Sequence, residues 1–235
     1  MRTEISPGFS EAAWSAIPIS SALHSTRWLR AMASRLPGAP YTFTHQSGLA
    51  LFGVVVADPH AYEAYNPYAV LWRDPPVFDV ADEAARRDRL ARLDGTPDRL
   101  LPALALVAPG YDGDPAGPAA GDPALLTECL RDVVEWAREH GLAGVYPLYT
   151  RSPAVTGAVA ALGGASFPLT SRWVLPVWWD DWESYLHGLA PKRRRKIARE
   201  RRRLAGAGAV LGPVALEERM AEVLDCRCAL LRRYG

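Results

Sequence analysis

The run LPALALVA, Leu101 to Ala108, followed by PGYDGDPAGPAAG, Pro109 to Gly121, decides the fold. Eight residues with almost no polar side chain read as a strand covered on both faces, because a strand with one wet face alternates instead. Such a strand belongs in the middle of a sheet. The Gly-, Pro-, Asp- and Ala-rich stretch after it reads as a loop. Asp122 then caps a helix that Pro123 opens, its apolar face formed by Leu126, Leu130, Val133, Val134 and Ala137, closing at Gly141 with His140 in the last turn.

Outward from this core, Val145 to Thr150 reads as a strand. A short helix follows, capped by Ser152 with Pro153 at its first position and ended by Gly163-Gly164, and then a strand around Ser171 to Val177. Upstream, Leu49 to Ala57 and Tyr41 to Gln46 are strand-like and are separated by Ser47-Gly48, the signature of a hairpin. Ser25 caps a helix with Trp28, Leu29, Met32 and Leu36 at helical spacing, and a shorter helix starts at Ser10. Tyr62 to Trp72 reads as an irregular aromatic stretch, and Asp82 to Leu93 as a peripheral helix. The expected fold class is α/β (α+β), an open mixed sheet with helices packed on it.

The 235 residues, 49% apolar, suffice for a buried core. The N-terminus has no charged start followed by an apolar signal core, and the longest apolar run is too short to span a bilayer, so a cytoplasmic location and no membrane insertion are expected. Cys129, Cys226 and Cys228 lack the spacing of a zinc site and read as reduced thiols. Hydrolase elbows, zinc-protease helices, Walker loops and dinucleotide fingerprints are absent, and the five histidines are scattered. No metal and no bound cofactor are expected.

Charge is the strongest functional signal. Net charge is +1, yet KRRRKIARERRR, residues 192 to 203, carries +8 and the rest of the chain −7. On a helix, Lys192, Arg195, Lys196, Arg199, Arg202 and Arg203 share one face. That face can grip phosphates, or it is a solvated outer surface anchored by Leu189, Ile197 and Leu204. A second unit is expected from residue 178, after a first unit over 1–177, with helices at 182–187 and 190–205, a strand Val210 to Leu216 and a helix Glu217 to Tyr234.

The element order resembles that of the GNAT acyltransferases. WESYLHGLAPKRRRKIARERRRLAGAG, Trp182 to Gly208, and STRWLRAM, Ser25 to Met32, resemble the lobe junction and the opening helix of Fem-type peptidyltransferases and related acetyltransferase-like proteins of actinomycetes. The resemblance implies two GNAT-like lobes, with this chain stopping early in the second. It implies transfer of an acyl or aminoacyl group to a small-molecule or nucleotide-linked amine acceptor, with acyl-CoA or aminoacyl-tRNA as co-substrate. The family's phosphate loop wants Arg or Gln, two residues, Gly, one residue, then Gly or Ala. Pro109 to Gly121 departs from it, with Asp112 and Asp114 to repel a diphosphate and no arginine. Arg203 to Gly208 matches literally but sits at a helix end, where a glycine cap belongs.

The candidate substrate-binding residues are Tyr65, Asn66 and Tyr68 in the first aromatic cluster and Lys192, Arg195 and Arg199 on the basic helix. Trp173, Trp178, Trp179 and Trp182 form a second aromatic cluster; core packing competes with an acceptor groove for both. Asp180 and Asp181 read as helix caps, and no general base is assigned. The rival function is a non-catalytic RNA-, tRNA- or partner-binding protein that uses the basic helix. Oligomeric state is not legible.

Overall fold

The computed structural model describes residues 2–18, 21–72, 84, 87–88, 91, 97–169, 177, 179–210, 212 and 216–234. The chain divides into two compact units, Met1–Arg172 and Trp173–Gly235, five residues earlier than the sequence boundary.

In the first unit, five strands lie in the order of the chain: β1 (Thr3–Pro7), β2 (Ala39–His45), β3 (Leu49–Val56), β4 (Ala103–Leu106) and β5 (Val145–Pro147). The first four run antiparallel to their neighbours, and β5 lies parallel to β4. The α/β mixed sheet flanked by helices is therefore the architecture. Helices α1 (Glu11–Ser15) and α2 (Thr26–Ala33) connect β1 to β2; α3 (Pro67–Leu71) and α4 (Pro97–Leu100) lie between β3 and β4. Helix α5 (Pro123–Glu139) makes the crossover to β5, and α6 (Pro153–Ala161) follows it. A parallel neighbour requires such a crossover, because the chain must return to the same end of the sheet before it can pair in the same direction.

Strand β4 is interior, second from the β5 edge. Leu104 and Leu106 pack against Leu126, Leu130 and Val133 of α5, and Ala105 and Val107 pack on the other face with Val54, Val70 and Leu148. Burial on both faces explains the unbroken apolar run. The α5 stripe extends to Cys129 and Trp136, and Asp122 Oδ1 accepts from the Ala124 and Leu125 amides at 2.8 and 3.1 Å. Each fully buried Leu or Val contributes roughly 1.5–3 kcal/mol. The hairpin turns at Ser47-Gly48, where Gly48 has φ +80° and its N–H donates to His45 C=O at 2.9 Å.

Strand β1 has no counterpart among the sequence expectations. It pairs with β2 from Thr3↔His45 to Pro7↔Tyr41, and the Arg2 and Thr3 amides donate to Asp132 Oδ2 on α5 at 2.8 and 3.0 Å. The stretch expected to be irregular contains a 3-10 turn, Glu63–Tyr65, and α3. The expected strand at Ser171 to Val177 and most of the helix Asp82 to Leu93 lie outside the described residues.

The second unit holds α7 (Trp182–His187), α8 (Pro191–Gly206) and α9 (Met220–Tyr234), the last preceded by a 3-10 turn, Leu216–Arg219. Asp181 and Ser184 form a capping box on α7. Gly208, at φ +69°, closes α8, with Ala209 N–H donating to Leu204 C=O at 3.0 Å, so Arg203 to Gly208 is a glycine cap. The expected strand Val210 to Leu216 lies largely outside the described residues, and Leu216 opens the 3-10 turn. Among the described residues no helix is long and apolar enough to cross a membrane.

Candidate functional site

The carboxyl ends of β4 and β5 are neighbours, and the loops leaving them converge. Leu148 N–H donates to Leu106 C=O at 3.1 Å, extending the parallel pairing one residue past β5. After β4 the chain closes on itself, with Ala108 N–H donating to Asp112 C=O at 2.7 Å, and then returns to β3, where Ala50 and Ala116 exchange two hydrogen bonds of 2.9 Å. Gly113 lies so close to the Leu148 carbonyl that a Cβ there would collide with it. In doubly wound α/β proteins such converging carboxyl ends are where ligands bind, because the loops leave a crevice there.

A charged knot joins the two loops. Asp114 Oδ1 accepts from Thr150 Oγ1 at 2.8 Å, Arg151 N at 2.7 Å and Ser152 N at 3.0 Å, while Oδ2 takes Arg151 Nε at 3.1 Å. Arg151 Nη2 also lies 3.0 Å from Asp114 and 3.5 Å from Asp112, whose side chain is buried. Ser21 Oγ donates to Asp112 Oδ2 at 3.2 Å. Burial pushes the Asp114 carboxyl up, but the hydrogen bonds and the Arg151 charge outweigh it and hold the group below the usual carboxylate range. Buried His24 is held below its ordinary value by desolvation, against the pull of Asp112 and Asp114. The knot sets two carboxyl side chains, Asp112 and Asp114, against one guanidinium, Arg151.

The expected repulsion between these carboxylates and a diphosphate is altered by this arrangement. The loop has no arginine of its own, but Arg151 arrives from the loop after β5 and offsets one carboxylate. The first-turn amides of α5 are taken by Asp122, so no free amide cradle stands at that helix N-terminus.

Tyr62, Tyr65, Tyr111 and Tyr149 form an aromatic cluster on the same two loops and the 3-10 turn Glu63–Tyr65. Tyr111 and Tyr149 occupy the left-handed backbone region, φ 66° and 58°, a conformation that costs non-glycine residues about 1–2 kcal/mol. Tyr111 stacks on Tyr65, ring centroids 5.5 Å apart, and lies 5.3 Å from Tyr149. Its hydroxyl bonds that of Tyr62 at 3.0 Å, which with burial raises the phenol to about 12. Tyr149 donates to Ala64 C=O at 2.5 Å, and burial pushes its phenol up too. Tyr111 and Tyr149 are therefore neutral at physiological pH.

Beside the tyrosines runs a cleft of about 1000 Å³, bounded by β5, α6 and residues 163–169, with Trp72, Tyr111, Tyr146, Tyr149, Arg151 and Phe167 on its wall. This is the size of a site for a small molecule. Among the described residues no group of three His, Cys, Asp or Glu side chains lies together as a metal site would need.

The residues singled out in the sequence fall elsewhere. Tyr65 is buried behind Tyr111, its hydroxyl accepting from Gly110 N–H at 3.0 Å. Asn66 is fully buried and its carboxamide is spent on the main chain: Oδ1 caps α3 at Tyr68 N, and Nδ2 donates to Pro59 C=O at 3.0 Å. Tyr68 lies on α3, away from the cleft wall. Lys192, Arg195 and Arg199 stand exposed on α8, in the second unit. Lys196 pairs with Glu200 at 3.8 Å and Arg201 covers the Trp182 ring at 4.9 Å; among the described residues Lys192, Arg195, Arg199, Arg202 and Arg203 have no ion-pair partner. The sequence reading missed Tyr111, Tyr149 and Arg151. Their one signal was position, directly after two buried strands.

Comparison with protein-family models, with curated proteins and with solved structures gives no match.

Proposed function

We propose that this chain acts in acyl transfer, as a GNAT-like, Fem-like acyltransferase that moves an acyl or aminoacyl group onto an amine. In this reading the cleft along β5 holds the acceptor. The donor is acyl-CoA or aminoacyl-tRNA, and in the second unit Lys192, Arg195 and Arg199 on α8 are exposed cations of the kind that bind phosphates. The supporting observation is the sheet order: an antiparallel run β1 to β4, then one parallel strand reached through α5, with ligand-sized space at the end of that pair. Both donors are cytoplasmic species, which fits cell-wall or specialised-metabolite assembly in a bacterial cytoplasm.

Chemically, an amine attacking an activated carbonyl needs alignment and a donor for the oxyanion more than a covalent relay. The Tyr111 and Tyr149 phenols on the cleft wall are too weakly acidic to act as bases at neutral pH. The test is transfer by the full chain from acyl-CoA and from aminoacyl-tRNA to a broad panel of amines, read by mass spectrometry. Failure of both donors across the panel overturns the reading.

A second reading, a non-catalytic RNA-binding protein, is favoured by the basic face of α8 alone, where every cation but Lys196 lacks an ion-pair partner among the described residues. Six cations over twelve residues extend about 16 Å along the helix. RNA binding that persists in protein unable to transfer any acyl group would select it.

A further inference from the structure

We propose that the cleft along β5 binds a small aromatic carboxylate, with its ring against Tyr111 and Tyr149 and its acidic group at Arg151. This deepens the reading above, on which it rests for the ligand being the acyl acceptor: that acceptor is an amine which also carries an acid. Binding itself needs no donor.

The charge of the wall sets the sign of the ligand. The charged side chains that line the cleft are Arg99 and Arg151, and no carboxylate lines it among the described residues. Arg151 is held in place for an anion. Its Nε and Nη2 are spent on Asp114 and Asp112, whereas Nη1 has no partner among the described residues and the side chain is 53% exposed. A guanidinium fixed along one edge keeps its remaining N–H donors in a set direction, so it loses little freedom when they meet a carboxylate. Helix α6 opens at Pro153, two residues further on, and the positive end of its dipole adds to the same potential.

Asp112 and Asp114 oppose an anion, but neither is on the cleft wall. They also decide which anion fits. Desolvating an ion costs in proportion to the square of its charge, whereas its attraction to a cation grows only linearly. With the Arg151 charge partly spent on its own carboxylates, a monoanionic carboxylate is served better than a dianionic phosphate.

The rings supply the rest of the site. Tyr111 and Tyr149, one on each loop, lie 5.3 Å apart and both occupy the left-handed backbone region. Tyr111 is 44% exposed, so its ring gains little burial to offset the strain that glycine would not have there. Strained positions of this kind cluster at ligand clamps. Trp72 and Phe167 on the same wall extend the surface open to a flat aromatic body.

The probe is para-hydroxyphenylpropionate, titrated calorimetrically into the full chain at neutral pH. Para-cresol is the neutral analogue, tyramine the cationic one and phenyl phosphate the dianionic one. The carboxylate is expected to bind at least about tenfold more tightly than para-cresol or tyramine, and more tightly than phenyl phosphate. Tyr111→Phe should stay within about twofold, whereas Tyr111→Gly, which relieves the backbone strain, should weaken the carboxylate by about tenfold or more. Arg151→Met should bring the carboxylate down to the affinity of para-cresol; if that variant does not fold, the analogue series in the parent protein decides the same question. No saturable binding of the carboxylate, binding of any analogue as tight as its own, or undiminished binding by Tyr111→Gly overturns the inference. Carboxylate binding without transfer from any donor leaves the inference standing and removes the acyltransferase reading. Transfer to amines that lack an acidic group, with no preference for amines that carry one, does the reverse.

Discussion

Arg151, on the loop after β5, is fastened to Asp114, on the loop after β4, by both its main chain and its side chain: N–H to Oδ1 at 2.7 Å, Nε–H to Oδ2 at 3.1 Å. The two loops that wall the candidate site are therefore one mechanical unit. Replacing Arg151 by Met leaves the buried Asp112 carboxylate without its cation. Because the guanidinium is half exposed, solvent screens part of the loss, and a cost of about 1–3 kcal/mol is expected. Asp114→Ala strands the Arg151 and Ser152 amides and should cost about 2 kcal/mol. Urea denaturation midpoints check both; shifts within error for both variants would show that the knot does not hold the loops.

The pH dependence has two windows. Asp114 is held below its unfolded value, so its contribution is present above about pH 4 and is lost as pH falls through the lower folded value. Buried His24 is also lowered: the neutral form is favoured on folding, so its contribution is present above about pH 6.5 and declines below it. Stability should fall in a first step below about pH 6.5, which His24→Gln flattens, and a second below about pH 4, which Asp114→Asn flattens. Stability independent of pH from 7 to 3 would contradict both assignments.

Gly113 tests the seam between the loops from the backbone side. A methyl group there meets the Leu148 carbonyl, which is held by its place at the end of β5 and cannot swing away as a side chain could. Gly113→Ala should cost about 1–3 kcal/mol, read as a shift of the urea midpoint. A neutral result would mean that the loop has room to shift.

The basic face of α8 should be separable from folding. Lys192, Arg195 and Arg199 are exposed and unpaired among the described residues, so changing all three to Gln should leave thermal stability within about 0.5 kcal/mol. If they contact phosphates, the slope of log affinity for single-stranded RNA against log salt should flatten by about 2. An unchanged slope would make this face solvated surface.

How much of this was legible depends on what each feature rests on. The unbroken run around Leu104 and Leu106 announced an interior strand, and Asp122-Pro123 announced the start of α5, because burial on two faces and helix capping are local constraints. Strand β1 was not legible. Its five residues carry no long apolar pattern, and it is fixed by pairing with β2 and by the bond from Thr3 to Asp132, 129 positions away. The site shows the same limit. Tyr65 and Asn66 drew attention by residue type, yet one supports Tyr111 and the other caps a helix, while Arg151 gains its role only when folding brings it to Asp112 and Asp114.

The central claim is transfer to an amine held in the β5 cleft. Its most direct test presents the full chain with a broad panel of amines and, separately, isotopically labelled acyl-CoA and aminoacyl-tRNA, and seeks labelled amide by mass spectrometry in parent and Tyr111→Gly protein. The account predicts amide formation from one donor in the parent, reduced about tenfold or more in the variant at subsaturating amine. No amide from either donor across the panel would contradict it.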